Sequence, residues 1–526
     1  MKKYSFLLAI SLALLLVANR LNVIAQTTFQ KTYSNGEYLF GNDIGFYNGC
    51  YYIAGSSKTN TNSRLFLEKT SMSGDSLWTF YFTAQNPIEG KKIIARNGNL
   101  YVAANSYMTS GNTKGLLAKI KENGNVIWSK TFGLSESQIF NDAIMPDDST
   151  IVVVGTVTGT GAGQKDIIVS IFDTSGAVRW SKTYGTIKSE RGNSIIKTSD
   201  TCFVIAGYTD FFDPPGDMLV MKISMAGTFK WAKTYNIINS YGSDYYTDQS
   251  ATDIMETLTH FLVMTGSTKT GEFTPTDQQW SPVILKLGMD GTLIHAHDYS
   301  INSGNNQAYQ ILETSNGSYL VLSCTNDFMD VLFKTNTAGI TDWCHYYSPG
   351  STPDYYCFPR AMCISNGAFV ITGSRNSQID TVLHLIKTNS QGLSGCYDDN
   401  VTGDAGTIDP VMNPVTFSST DVPVSNDFPL ILQYMNSTPY IICEIPTGIE
   451  TIEAAGAIYP NPVIDFLYLD KIQEIMKYGL FDCSGNEIAT GHSKIIDFRN
   501  ISPGIYILKM ITRKGIFSYK VVKLQW

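Results

Sequence analysis

Gly176-Ala177-Val178-Arg179-Trp180-Ser181-Lys182-Thr183-Tyr184-Gly185 is the stretch that decides the fold, because close copies of it recur along the chain. A glycine four residues before a tryptophan occurs as Gly74/Trp78, Gly124/Trp128, Gly176/Trp180, Gly227/Trp231 and Gly339/Trp343. Gly291 has His295 in the tryptophan slot, and Gly392 has Cys396. The steps between successive glycines are 50, 52, 51, 64, 48 and 53 residues. A period of this size with β-type composition predicts a propeller or a related array, in which these tryptophans pack between repeats.

Each repeat divides into four short β-type runs, which is the strand number of a propeller blade. The unit ending near Trp231 shows them at 193–197, 202–206, 218–223 and 229–235. The second run of each unit ends in a small residue, which gives seven units: Gly55, Ala104, Gly155, Gly207, Gly266, Ser323 and Gly373. The fourth run appears in only six regular units.

The missing fourth run lies near the start of the chain. Phe29-Gln30-Lys31-Thr32-Tyr33 matches residues 180–184, with Phe in place of Trp. A strand taken from the other end of the chain can close a ring of sheets and cover a bare edge. We therefore predict an all-β chain with a seven-bladed β-propeller of four-stranded blades over residues 26–396, whose last blade is closed by the N-terminal strand. The alternative is an open solenoid.

The N-terminus has the pattern of a secretory signal peptide over residues 1–25. Lys2 and Lys3 precede an apolar run at 6–18, which is shorter than the ~20 residues of a spanning helix, and small residues end at Ala25. No other segment is long and apolar enough to span a membrane, so none is expected in the mature chain. Removing Lys2, Lys3 and Arg20 leaves 35 basic against 46 acidic side chains, a net charge of −11. That charge argues against nucleic acid as a partner.

The nine cysteines are an odd number, so at least one is free or pairs with another chain. Cys396 and Cys443 flank a segment outside the repeats and are the best disulfide candidate; Cys344 with Cys357 is second. No cysteine spacing resembles a structural zinc site. The segment between the first pair belongs to residues 397–452, which are rich in Pro, Thr and Asp. They form either a linker or a hairpin docked on the propeller.

Tyrosine-rich segments are the candidate binding loops. One insert holds Tyr241, Tyr245 and Tyr246, and another segment holds Tyr355 and Tyr356. Tyrosines in loops grip sugars or proteins at little entropic cost, but the same side chains also pack between blades.

The sequence contains few motifs that would indicate catalysis. We find no catalytic motif, no cofactor motif and no metal-binding spacing, so we expect no catalytic residues, cofactor or metal. His295, His297 and His345 stand in fourth-run packing positions. Paired carboxylates supplied by distant blades would leave no local pattern, and their convergence in the central funnel would favour an enzyme.

The last 74 residues, 453–526, carry a specific resemblance. The quoted segments are Ile458-Tyr459-Pro460-Asn461-Pro462, Tyr478-Gly479-Leu480-Phe481-Asp482-Cys483-Ser484-Gly485-Asn486-Glu487-Ile488, Ile501-Ser502-Pro503-Gly504-Ile505-Tyr506-Ile507 and the basic ending Ser518-Tyr519-Lys520-Val521-Val522-Lys523-Leu524. Together they resemble the C-terminal sorting domain of the type IX (Por) secretion system, with Cys483 in place of the usual Val or Leu. The resemblance implies a small immunoglobulin-like β-sandwich that the outer-membrane translocon recognises.

The blade repeat also loosely resembles quinoprotein-like propellers and the propeller repeats of exported bacterial proteins, in structure only. Together these observations favour a binding or adhesion protein, secreted or on the outer-membrane surface of a Gram-negative bacterium and exported through the periplasm. Its partners would be the type IX machinery and an unknown glycan or protein ligand. The alternative is a polysaccharide-degrading or quinoprotein-like propeller enzyme.

Overall fold

The fold is described from a computed structural model of the chain. It describes residues 26–59, 61–133, 136–211, 216–237, 249–270, 279–301, 305–325, 329–347, 356–376, 381–396, 398–401, 403–408, 411–421, 426–427, 430–434, 438–447, 463–469, 475–481, 487–512 and 515–524. Every regular element among them is a β-strand, which confirms the all-β class. Within these ranges there is no helix that could cross a membrane.

Strands of the repeats form seven antiparallel sheets, numbered here in chain order. The N-terminal strand is β1 (Gln26–Ser34). Sheet 1 contains β2 (Tyr38–Tyr47), β3 (Cys50–Lys58), β4 (Ser63–Ser71) and β5 (Ser76–Thr83). Sheet 2 contains β6 (Ile88–Arg96), β7 (Asn99–Tyr107), β8 (Thr113–Lys121) and β9 (Val126–Phe132). Sheet 3 contains β10 (Gln138–Asp147), β11 (Thr150–Thr158), β12 (Lys165–Asp173) and β13 (Val178–Gly185). Sheet 4 contains β14 (Glu190–Lys197), β15 (Cys202–Thr209), β16 (Asp217–Ser224) and β17 (Phe229–Asn236). Sheet 5 contains β18 (Ser250–Glu256), β19 (Leu262–Thr270), β20 (Gln279–Leu287) and β21 (Leu293–Ile301). Sheet 6 contains β22 (Asn306–Glu313), β23 (Tyr319–Thr325), β24 (Asp330–Thr335) and β25 (Thr341–Tyr347). Sheet 7 contains β26 (Tyr356–Ser365), β27 (Ala368–Asn376) and β28 (Thr381–Lys387), together with β1.

The hydrophobic core lies between neighbouring sheets. Seven clusters of buried side chains each join two successive sheets, including one that joins sheet 7 to sheet 1. The second strands read as continuous apolar runs because they are covered on both faces. In β11, for example, Ile151 to Val154 are all buried.

The sheets form a closed ring. The first strand of each sheet contacts the first strand of the next, and β26 of sheet 7 contacts β2 of sheet 1. β1 pairs with β28 in a register that places Phe29 opposite Lys387 and Tyr33 opposite Leu383. The N-terminal strand therefore completes sheet 7 as the sequence predicts, and the open-solenoid alternative is wrong.

A repeated hydrogen bond fastens five of the seven fourth strands to the next sheet. The Tyr184 hydroxyl donates to the carbonyl of Gly227 at 2.7 Å, and Tyr235, Tyr299 and Tyr347 repeat the contact with Gly291, Gly339 and Gly392. Each acceptor glycine has a positive φ in the turn before the next fourth strand, a conformation that glycine adopts without strain. Tyr33 of β1 donates in the same way to Gly74, so the closing strand is locked like the others.

After sheet 7 the chain runs backwards around the ring. It adds a fifth strand to sheets 6, 5, 4, 3, 2, 1 and finally 7. These strands are β29 (Asp398–Asn400), β30 (Gly403–Ile408), β31 (Val411–Val415), β32 (Ser418–Asp421), β33 (Asn426–Asp427), β34 (Ile431–Tyr434) and β35 (Thr438–Thr447). We call residues 398–447 the outer belt. The belt thus adds a fifth strand to each sheet of four repeat strands, which the linker and docked-hairpin alternatives did not include.

The belt is covalently closed. A disulfide joins Cys396, just before β29, to Cys443 on β35. Both ends of the belt therefore meet at sheet 7 after a full circuit of the ring. Cys344 and Cys357, the second candidate pair, are free thiols.

The contacts divide the chain into Thr28–Ile445 and a second unit that contains Pro446–Trp526. The second unit has a two-stranded and a four-stranded sheet around its own core, which includes Leu467, Leu480 and Leu508. Its strands are β36 (Phe466–Tyr468), β37 (Ile475–Phe481), β38 (Glu487–Gly491), β39 (Ile495–Asp497), β40 (Gly504–Thr512) and β41 (Gly515–Lys523).

Candidate functional site

Each first strand carries a β-bulge at the same place in its sheet. The register with the second strand shifts after Gly41 in sheet 1, and equivalent shifts follow in the other six sheets. A bulge adds one residue to a strand and re-aims its side chain. The bulged residues are Asn42, Lys91, Asn141, Asn193, Thr252, Tyr309 and Arg360.

The bulges build one pocket in the middle of the ring. Every bulged residue and the residue after it line this pocket, so all seven first strands contribute two side chains each. The second member of each pair is Asp43, Lys92, Asp142, Ser194, Asp253, Gln310 or Ala361. The cavity has a volume of about 130 Å³. We call it the central pocket.

Lys92 is the electrostatic centre of the pocket. Its Nζ lies 3.3 Å from Oδ1 of Asp43 and 3.4 Å from Oδ1 of Asp142. Burial disfavours its charged form, but the carboxylates of Asp43, Asp142 and Asp253 outweigh burial and raise the pKa of Lys92 above its usual value. Lys92 is therefore a permanent cation that neutralises the acidic side chains around it.

The carboxylates also tie successive sheets together. Asp43 accepts a hydrogen bond from the backbone N–H of Ile93 at 2.8 Å, which joins sheet 1 to sheet 2. Asp142 accepts the equivalent bond from the Ile195 N–H at 3.0 Å, which joins sheet 3 to sheet 4. Asp253 accepts it from the Ile311 N–H, also at 3.0 Å, which joins sheet 5 to sheet 6. These oxygens are consequently held in place by the backbone of the next sheet.

Asp253 is the carboxylate least compensated by charge. Burial raises its pKa to about 6, against the opposing hydrogen bonds from the Ser194 hydroxyl and the Ile311 N–H. Burial also raises the pKa of Asp43, but there Lys92 opposes the shift. Near neutral pH Asp253 is therefore the acidic group of the pocket most able to exchange a proton.

The exposed Arg360 and the partly buried Tyr309 form a stacked pair at the pocket. The Arg360 guanidinium lies over the Tyr309 ring, 5.2 Å from its centroid. A stacked guanidinium keeps its N–H donors in a fixed plane, which suits hydroxyl and carboxylate acceptors. The pocket thus offers donors from Arg360 and acceptors from its carboxylates.

No motif in the sequence pointed to these pocket residues. A usable signal exists in the repeated Asn-Asp pair, which occurs as Asn42-Asp43 and again two units later as Asn141-Asp142. Both asparagine amides donate at 2.7 Å to a carbonyl of the next sheet, which explains the pairing. Aligning the first strands of the repeats by their small residues would have exposed this pattern.

The predicted packing tryptophans, Trp78, Trp128, Trp180, Trp231 and Trp343, lie on fourth strands, far along the sheet from the bulges. A Cβ added at the turn glycine of the next sheet would meet the rings of Trp128, Trp180, Trp231 and Trp343 within about 3.1 Å. Trp128 also donates from Nε1 to the Thr174 carbonyl at 3.1 Å. These rings fill space between sheets and take no part in the pocket.

The tyrosines Tyr241, Tyr245, Tyr246 and Tyr355 lie outside the described residues, and Tyr356 begins β26 with its side chain outside them. Of the sorting residues, Pro460, Asn461, Pro462, Asp482 and Gly485 also fall outside, and Lys520 is described only as backbone of β41. Gly504 begins β40, and the buried Tyr506 donates to the Ser502 carbonyl at 2.6 Å.

The chain is distantly similar to several solved structures. Sqt1 from Chaetomium thermophilum is 11% identical, with 70% of this chain and 98% of that chain covered and a TM-score of 0.35. The Bombyx mori GH32 β-fructofuranosidase BmSUC1 is 8% identical, with 73% and 94% covered and a TM-score of 0.29. The fold therefore rests on the strand pairing and not on these similarities.

No curated protein sequence matches the chain significantly. Residues 457–524, however, match the family model of the secretion system C-terminal sorting domain. The match covers the motifs quoted from the sequence and the second structural unit. This chain is thus a β-propeller protein with a type IX sorting domain at its C-terminus, exported by type IX secretion to the cell surface or the medium.

Proposed function

We propose that this chain is a seven-bladed β-propeller that binds a hydroxyl-rich ligand, such as the end of a glycan, in its central pocket. The signal peptide of residues 1–25 directs it to the periplasm of a Gram-negative bacterium. The domain of residues 453–526, an immunoglobulin-like sandwich, then directs it across the outer membrane. The propeller acts as a binding or adhesion module on the surface or in the medium.

The observation that carries this proposal is the convergence of all seven first strands on one polar pocket. Its amide, hydroxyl, guanidinium and carboxylate groups match the alternating donors and acceptors of a sugar. A volume of about 130 Å³ is close to that of an engineered cavity of ~150 Å³ that admits benzene. The pocket therefore suits one terminal group of a larger ligand.

Glycoside hydrolysis is the second candidate function. Three carboxylates do converge in the pocket, and the pKa of Asp253, near 6, suits a general acid. Asp43 and Asp142, however, are both paired with Lys92 and bonded to backbone N–H groups of neighbouring sheets. Carboxylates held in this way serve cohesion and binding better than nucleophilic attack.

The test is a glycan array with the mature chain, followed by titration calorimetry with the best ligand. Arg360→Ala should weaken binding about tenfold, the equivalent of ~1.4 kcal/mol. Arg191→Ala is the matched control, because Arg191 is also exposed and stacks on Tyr208 at 5.4 Å outside the pocket. Equal affinity of the Arg360→Ala variant and the wild type would reject the pocket as the binding site.

The same ligands separate binding from catalysis. Incubation with the wild type should leave the glycan intact by mass spectrometry. Hydrolysis that disappears in Asp253→Asn would establish the enzyme alternative instead.

A further inference from the structure

Three donor atoms of different chemistry meet in the interior between sheets 6 and 7. Asp330 begins β24 of sheet 6, whereas Cys357 and His384 belong to β26 and β28 of sheet 7. A carboxylate oxygen, the thiol sulfur and a ring nitrogen all lie within 4.8 Å of one another. The three residues are only 2%, 0% and 1% exposed.

The distances are those of a small coordination sphere. His384 Nδ1 lies 3.3 Å from Asp330 Oδ2 and 4.0 Å from Cys357 Sγ. Around a tetrahedral Zn²⁺, usual bond lengths place neighbouring N, O and S ligands about 3.3–3.7 Å apart. The largest separation in the cluster is at most 4.8 Å, so closing it around an ion requires movements of up to about one ångström.

The repeat itself shows that two of these residues are exceptional. His384 lies opposite Gly373, and the equivalent third-strand position is a buried apolar residue in each of the other six sheets. Those residues are Phe66, Leu116, Ile168, Leu219, Val283 and Val331. The position before it, occupied by Asp330 in sheet 6, is uncharged in the other six. Sheets 6 and 7 have thus exchanged apolar packing for ionisable groups at two adjacent places.

Such an exchange is costly unless the groups are compensated. Asp330 Oδ1 and His384 Nε2 are buried without a hydrogen-bond partner among the described residues. Buried polar atoms of this kind are rare in proteins. An ion beside the carboxylate would compensate Asp330, whereas His384 Nε2, on the other side of the ring from Nδ1, calls for a water. A carboxylate, a thiolate and a neutral imidazole around Zn²⁺ sum to zero charge, so the loaded cluster would carry no net charge into the interior.

We propose that Asp330, Cys357 and His384 form a Zn²⁺ site, with water in the fourth position, that staples sheet 6 to sheet 7. Imidazole nitrogen, thiolate sulfur and carboxylate oxygen are each ligands that zinc accepts in proteins. The site joins the one sheet whose fourth strand is supplied by the distant N-terminus, since Thr32 of β1 pairs with His384. Its role is structural and independent of ligand binding in the central pocket.

The test measures metal in the full mature chain, purified without a polyhistidine tag, after incubation with zinc and dialysis. Mass spectrometry should find about one zinc per chain in the wild type. His384→Leu and Cys357→Ala should each reduce this at least about tenfold. Cys344→Ala is the control, because Cys344 is a buried free thiol in sheet 6 and should leave the zinc content unchanged.

His384→Leu restores the apolar residue found in the other sheets, so it should fold even if Cys357→Ala does not. A chelator should lower the thermal midpoint of the wild type and leave that of His384→Leu unchanged. Cobalt substitution should add a thiolate-to-metal charge-transfer band that Cys357→Ala lacks. Wild type without bound zinc, or zinc retained in both ligand variants, would overturn the proposal and leave a plain Asp330–His384 ion pair.

Discussion

At the scale of single residues, Lys92 neutralises two carboxylates of the central pocket, whereas its neighbour Lys91 pairs with Glu89. Lys92→Met would leave Asp43 and Asp142 in the pocket without their cation. Because uncompensated buried charge is costly and Lys92 is partly exposed, we expect the free energy of unfolding to fall by about 2–4 kcal/mol. Urea unfolding followed by tryptophan fluorescence measures this.

Lys91→Met is the matched control for that experiment. Lys91 pairs with Glu89 at 3.1 Å, and both side chains are partly exposed. Exposed pairs contribute less than about 1 kcal/mol, so the loss should be small. Equal losses in the two variants would show that the carboxylates do not depend on Lys92.

At the scale of elements, the outer belt changes how the ring is held together. Without it, seven fourth strands would each present an unpaired edge, which is a template for aggregation. The belt covers all seven edges, and the Cys396–Cys443 disulfide joins its two ends. The ring is thus closed twice, by β1 inside sheet 7 and by the belt around the outside.

Cys443→Ala should destabilise the propeller, because the disulfide links residues 47 positions apart. Loop-closure entropy for such a loop predicts a loss of about 2–4 kcal/mol. The thermal midpoint should fall in the variant, and a reductant should lower the wild type to the same value. Cys50→Ala, which removes a free thiol, is the control. A wild type insensitive to reductant would contradict a stabilising role for the disulfide.

At the scale of the whole molecule, folding and export belong to separate units. Residues 457–524 match the sorting domain, whereas the central pocket belongs entirely to Thr28–Ile445. Deleting residues 453–526 should therefore trap the protein in the periplasm, as measured by cell fractionation. Arg360→Ala, which keeps the sorting domain, should reach the surface normally. Surface delivery of the truncated chain at the wild-type level would reject this assignment.

Much of the ring could be predicted because its signals are local and repeated. The Gly-x-x-x-Trp spacing, the small residue ending each second strand and the copy at residues 29–33 each report on a single strand or turn. The belt strands escaped prediction because several are only two to four residues long, as in β32 and β33. Segments this short carry no periodicity and form only because a neighbouring edge offers hydrogen bonds.

By itself, the sequence determined the β-class, the number of repeats, the closing strand and the export domain, since these depend on local pattern and motif. Only the tertiary structure decided which residues meet. Asp43, Lys92, Asp142 and Asp253 come from four different sheets, and Asp330 meets His384 across a sheet interface. Their proximity arises from the curvature of the ring, which brings equivalent positions of distant strands to one point, and no spacing along the chain encodes that distance.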